Sequence, residues 1–221
     1  MPQLRWTVTE IATFSGHCRV RCASAAAPAP GPGQFYLVTQ AESILPTALF
    51  PTPAGPAGVE FWVDTGQPLT ALTPAAELEV AGPLGRVIAW PARTTRLLLV
   101  AASLSRVWPA LIWALGRGWS VTWLWPEGVP DDVLDILPPA VEIARGPVTP
   151  DLAEWADTVL LDGPAELAGQ VRALAPLRSA EAVLAYQVPP LPCGFGGCQA
   201  CWVETRRGRR LACVDGPVLP L

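Results

Sequence analysis

Four of the chain's six cysteines fall near its C-terminal end, at Cys193, Cys198, Cys201 and Cys213, in the spacing Cys-x4-Cys-x2-Cys-x11-Cys. Three thiolates within nine residues, with a fourth delivered from a distance, is the pattern that holds a two-iron, two-sulfide centre, [2Fe–2S]. The glycines between them, Gly194, Gly196 and Gly197, suit the same purpose. A loop wrapped round an anionic cluster needs turns with positive φ, and it brings backbone N–H groups close to sulfur where a side chain would obstruct them. Those N–H groups stabilise the cluster's charge and raise its reduction potential. Two alternatives stay open: a structural zinc site, which also uses a Cys-x2-Cys knuckle, and unligated thiols. Zinc sites more often come as two close pairs, whereas here the second half offers Cys213 by itself.

Between Cys201 and Cys213, the run Arg206-Arg207-Gly208-Arg209-Arg210 reads as a hairpin with an arginine-rich tip centred on Gly208. Such a tip can dock an acidic partner or offset the cluster's negative charge, and as a charge run it also suits a plain solvated turn. Cys18 and Cys22 lie four apart in an alternating segment, which places both on one face of a strand as small core residues. His17, the chain's one histidine, is expected at the surface or in a capping role. Trp119, Trp123 and Trp125 lie on or beside one expected strand and read as core or subunit interface.

The rest of the chain must position the four thiols. At 221 residues it holds one large domain or two small ones with an appended module. Apolar residues at 51% and charged residues at 15% exclude a disordered or collagen-like chain. All 15 basic residues are arginine and the net charge is −4, so there is no basic footprint for nucleic acid and no lysine for a Schiff base. A lone histidine leaves a His-Asp relay without its parts. The apolar windows Leu97–Ala102 and Val107–Leu115 fall far short of the ~20 residues of a membrane span. The N-terminal stretch has no apolar run of signal-peptide length. A soluble cytoplasmic protein is expected, in which clustered cysteines point to metal or redox chemistry rather than a disulfide framework.

Three zones follow from patterning. Residues 1–92 read as short strands at Arg5–Ile11, Cys18–Cys22, Gln34–Thr39 and Val59–Asp64, with Pro- and Gly-rich breaks at Ala27–Gly33 and Pro51–Gly58. That pattern predicts an antiparallel β-barrel. Residues 93–188 alternate between strand and helix. Strands are expected at Arg96–Ala102, Ser120–Trp125, Ala140–Ala144, Thr158–Asp162 and Ala182–Tyr186, with helices at Trp108–Leu115 and Pro164–Ala175. This is the pattern of an α/β domain with a parallel sheet. Residues 189–221 open with the extended linker Val188-Pro189-Pro190-Leu191-Pro192 and carry the cysteine cluster.

The segment Cys193–Val218, with its Cys-x4-Cys-x2-Cys and its closing Cys213-Val214-Asp215-Gly216-Pro217-Val218, resembles the electron-transfer subunit of class B dihydroorotate dehydrogenase. Further likeness lies in Gly33-Gln34-Phe35, in Leu78-Glu79-Val80-Ala81-Gly82-Pro83-Leu84-Gly85, and in Asp162-Gly163-Pro164, where the family has Cys-Gly-Pro. The resemblance implies a ferredoxin-reductase-like pair of flavin barrel and nucleotide-type domain, with Cys193, Cys198, Cys201 and Cys213 as cluster ligands. It also implies a hetero-oligomer in which electrons pass between NAD and a catalytic flavoprotein subunit by way of FAD and the cluster.

The family's flavin signature, approximately Arg-Pro-x-Ser, falls on Ile44–Pro51, with Thr47 in place of the arginine and Phe50 in place of the serine. Its Gly-x-Gly-Thr turn falls on Val63–Pro68, with Asp64 beside the expected phosphate. The glycine-rich turn of the nucleotide domain reads Ala101-Ala102-Ser103-Leu104-Ser105-Arg106, with no glycine where backbone must approach a pyrophosphate. The expectation is therefore a [2Fe–2S] relay subunit with degenerate nucleotide sites, in which NAD is not expected and FAD is left open. The alternatives are a complete FAD- and NAD-linked oxidoreductase subunit, a non-catalytic regulatory subunit bearing the cluster, and a zinc-stapled interaction domain.

Overall fold

The computed structural model describes residues 3–24, 30–39, 45–55, 58–174, 183–205 and 207–220. Parts of the expected breaks, of the Ile44–Pro51 stretch, of the last strand and helix and of the arginine tip fall on residues 27–29, 44, 56–57, 175, 182 and 206, outside the described residues.

The first part of the chain forms one seven-stranded antiparallel sheet: β1 (Gln3–Phe14), β2 (His17–Ser24), β3 (Phe35–Thr39), β4 (Thr47–Leu49), β5 (Thr52–Pro53), β6 (Gly58–Asp64) and β7 (Glu77–Leu84). The strand order is β4-β3-β7-β1-β2-β6-β5. Alternation decides its two faces. Val8, Cys18, Val20, Cys22, Phe61 and Val63 turn into one apolar core with Trp6 and Tyr36. Cys18 and Cys22 are buried there, and burial alone pushes the Cys22 thiol up to about 12, so both are packing residues. On the opposite face, cross-strand neighbours divide by what covers them. Arg19 and Arg21 reach Glu10 and Glu60 in an ion-pair network. Further along the same face, Trp62 packs on Trp108 with ring centroids 5.3 Å apart.

The second sheet has six strands in the order β10-β9-β8-β11-β12-β15. Its parallel part is β8 (Arg96–Ala101), β9 (Ser120–Trp125), β10 (Val141–Arg145), β11 (Thr158–Asp162) and β12 (Val183–Tyr186). Runs such as Leu97-Leu98-Leu99-Val100 are buried on both faces because helices cover both sides, as parallel sheets require. The helices are α1 (Leu104–Gly116), α2 (Asp131–Leu134), α3 (Pro150–Trp155) and α4 (Ala165–Leu174). α1 begins four residues before the expected helix, capped by Ser103, whose side chain accepts from the Ser105 N–H.

The C-terminal segment adds the hairpin β13 (Trp202–Thr205) and β14 (Gly208–Leu211), the short α5 (Ala212–Asp215) and β15 (Val218–Pro220). β15 pairs antiparallel with β12, so the chain's last strand becomes an edge of the parallel sheet. Among the described residues no helix is long and apolar enough to cross a membrane.

Candidate iron–sulfur site and the adjoining cleft

The cysteine loop is bent by Gly194 and Gly196, at φ +73° and +83°. A Cβ at Gly194 would stand 2.5 Å from Leu84 and 2.8 Å from Leu37, so the backbone lies directly on β7 and β3. Two further bonds seat the segment. The Arg86 N–H donates to the Gly216 carbonyl at 2.6 Å, and the Gln187 N–H donates to the Pro217 carbonyl at 2.8 Å. Within the segment, the Ala212 N–H donates to the Cys201 carbonyl at 3.0 Å, which brings the distant Cys213 beside Cys201.

The four thiols fall into two pairs. Cys201 and Cys213, 1% and 2% exposed, have Sγ atoms 3.1 Å apart. Cys193 accepts from the Cys198 N–H at 3.4 Å and also interacts with the Cys198 side chain, on the exposed side of the loop. Burial raises the Cys193 thiol, but the N–H groups of Cys198, Phe195 and Gly196 outweigh it and bring it down to about 7. Burial, with the neighbouring Cys201 thiol, pushes Cys213 up to about 12. Among the described residues, no three Cys, His, Asp or Glu side chains converge as a single metal ion would need. The two pairs lie within electrostatic reach of each other, since Cys193 also acts on Cys213.

Beside this loop, the linker Val188–Leu191 lines a cleft of about 370 Å³ between the two sheets, with Thr47, Phe50, Trp62, Gln67, Ser105 and Arg106 on its other walls. Phe50 is buried against Phe35 and edge-on to Tyr186, with centroids 5.9 and 5.6 Å away. Thr47 carries no charge for a diphosphate. Next to Ser105, Asp64, the last residue of β6, accepts from Ser103 Oγ at 2.7 Å and Ser105 Oγ at 3.1 Å, and lies 3.1 Å from His17 Nδ1. Burial raises the Asp64 carboxyl, but His17, Ser103 and Ser105 outweigh it and hold it below the usual carboxylate range. Asp162, at the end of β11, accepts from Arg106 Nε at 2.8 Å.

His17 is therefore not a surface residue. It is 5% exposed, paired with Asp64 across β2 and β6 and edge-on to Trp125. It lies on the polar face of β2, and the parallel sheet, through Trp125, covers that end of the face. Trp123 and Trp125 are core, whereas Trp119 is half-buried in a cluster with Trp90 and Trp113.

Residues 191–221 match the model of the iron–sulfur cluster binding domain of dihydroorotate dehydrogenase B, a span that contains all four thiols. Among curated proteins no sequence matches the chain. Solved structures are similar over most of it. The NADH-dependent reduced ferredoxin-NADP oxidoreductase, described for flavin-based electron bifurcation, is 17% identical with a TM-score of 0.77, covering 96% of this chain and 87% of that one. The ferredoxin reductase of carbazole 1,9a-dioxygenase, in its FAD apo form, is 16% identical with a TM-score of 0.65, covering 82% of this chain and 66% of that one. An Amycolatopsis cytochrome P450 reductase is 18% identical with a TM-score of 0.65, covering 82% and 68%. At these identities the likeness is one of fold. The chain has a ferredoxin-reductase-like fold, and its C-terminal segment is similar to the iron–sulfur cluster binding domain of dihydroorotate dehydrogenase B.

Proposed function

We propose that this chain is an electron-transfer subunit in which Cys193, Cys198, Cys201 and Cys213 hold a [2Fe–2S] cluster, relaying electrons to or from a flavoprotein partner of the dihydroorotate dehydrogenase type. The reading is carried by the two thiol pairs in a glycine-bent loop, seated on a reductase fold. When bound, such a cluster supplies one-electron chemistry. The chain's own contribution is electrostatic and steric. N–H groups of Phe195, Gly196 and Cys198 turned toward the Cys193 sulfur offset negative charge, and Cys201 and Cys213 keep the other side dry.

The cleft offers little to a diphosphate: Thr47 is neutral, the Ser105 hydroxyl is bonded to Asp64, and the guanidinium of Arg106 is paired with Asp162.

An absorption spectrum of anaerobically purified protein, with iron, sulfide, zinc and flavin assays on the same sample, is the direct test. The expected result is about two iron and two sulfide per chain, without flavin. Flavin at one per chain would restore a complete reductase subunit, and zinc without iron would remove electron transfer.

The rim of the loop suits a docking role. Phe195 is 63% exposed, with Trp202 and Val214 also exposed on this segment, and Arg86, Arg207, Arg209 and Arg210 outnumber the two carboxylates, Asp215 and Glu204, that pair with Arg86 and Arg209. An apolar centre with a cationic rim matches an acidic partner surface. Phe195→Ala is expected to keep the iron content while weakening the complex about tenfold or more. Arg210→Glu should slow association at low salt and lose its effect at high salt. Titration of the partner flavoprotein against each variant checks both, and wild-type affinity in the two would place docking elsewhere.

A further inference from the structure

The parallel sheet has its topological switch point between β8 and β11, because β9 and β10 run to one side and β12 to the other. In open α/β sheets the crevice outside the strand ends at that point is where ligands bind. There the 13-residue α1 starts directly after β8, and its N-terminal end carries partial positive charge. Here that end already faces an anion. Both Asp64 oxygens are engaged, Oδ1 by Ser103 and His17 and Oδ2 by Ser105, while the Ser103 hydroxyl also caps the helix. Asp64 and His17 belong to the antiparallel sheet, and Ser103 and Ser105 to the start of the helix that follows β8 of the parallel one. A second bond of the same kind lies close by: Asp132, in α2, accepts from the N–H and hydroxyl of Ser15, in the turn that joins β1 to β2.

We propose that Asp64 is a built-in anion. Its carboxylate takes the place at the start of α1 that a ligand's phosphate would otherwise fill, and so clasps the two sheets together without any bound nucleotide. This holds whether or not the cysteine loop carries a cluster, so its failure and the failure of the relay reading are separable. The Arg106 guanidinium nearby is likewise already engaged by a carboxylate of the chain, that of Asp162.

The test is thermal unfolding of the full-length protein as purified, with and without millimolar inorganic pyrophosphate at matched ionic strength. The wild type is expected to show no shift with pyrophosphate. Asp64→Gly, which removes the carboxylate and opens its space, should melt about 5 °C lower and regain at least half of that loss when pyrophosphate is added. If the glycine variant does not fold, Asp64→Ala read in the same titration decides the matter. Three results would each overturn the proposal: pyrophosphate stabilising the wild type, the variants melting with the wild type, or the variants melting lower with no recovery. The last would make Asp64 an ordinary structural residue rather than a stand-in for phosphate.

Discussion

Serine at Cys201 or Cys213 is expected to take the chain from about two iron atoms to almost none, and to loosen residues 191–220 as it does so. Both thiols are buried in the same apolar core as Leu37, Leu84 and Leu191. A hydroxyl there is a poor iron ligand and a polar group in a site chosen for sulfur. Metal binding by such a segment is also part of its folding free energy, so losing the metal releases more than one bond. The β13–β14 hairpin and the β15 edge should therefore become open to protease in the serine variants. Cys198→Ser should lose iron too, but its exposed position predicts little further cost to the metal-free protein. Cys22→Ala is the control, because that thiol faces the antiparallel core and should leave iron content unchanged. Iron, sulfide and limited proteolysis measured on the same preparations check the series. Two iron atoms retained in Cys201→Ser would remove the four-thiolate assignment.

Much of this architecture is legible in the chain because its signals are local. Ser120–Trp125 and Thr158–Asp162 are strands with the bounds read from their continuous apolar runs. The cysteine loop is legible for a different reason: the cluster imposes a fixed spacing on neighbours in sequence. α1 was harder, because Pro109 sits inside it and suppresses the helical signal. The Ser103 cap was the clue to its true start. β15 could not be read, since a three-residue strand is defined by its partner β12 rather than by its own pattern. His17 shows the limit most clearly. Alternation assigns a residue to one face of a sheet, and Arg19 and Arg21 on the same face do reach the ion-pair network. Whether α1 and Trp125 then cover one end of that face depends on contacts between segments far apart in sequence, which local alternation does not carry.

Arg106→Met is expected to destabilise the protein by about 3 kcal/mol at neutral pH, and by less as the solution is made acidic. Methionine keeps much of the arginine stem's volume, so the loss is chiefly of charge. Asp162 then stands with its side chain 4% exposed, at the end of β11, without its 2.8 Å partner and within electrostatic reach of the Asp64 carboxylate. In the wild type, burial already raises the Asp162 carboxyl, with Arg106 pulling it down and Asp64 adding to the rise. A carboxyl raised in the folded state favours folding while it is protonated, and that contribution is lost as pH climbs through the folded value. Removing Arg106 lifts the folded value further, so stability of the variant must fall across a wider span above the unfolded value near 4. The gap in melting temperature between variant and wild type should thus grow from mildly acid to neutral pH. Pairing Arg106→Met with Asp162→Ala should recover much of the loss, because a buried charge pair removed whole costs less than half of it removed. A gap that stays constant with pH, or a double variant no more stable than the single one, would show that the ion pair does not govern this cleft.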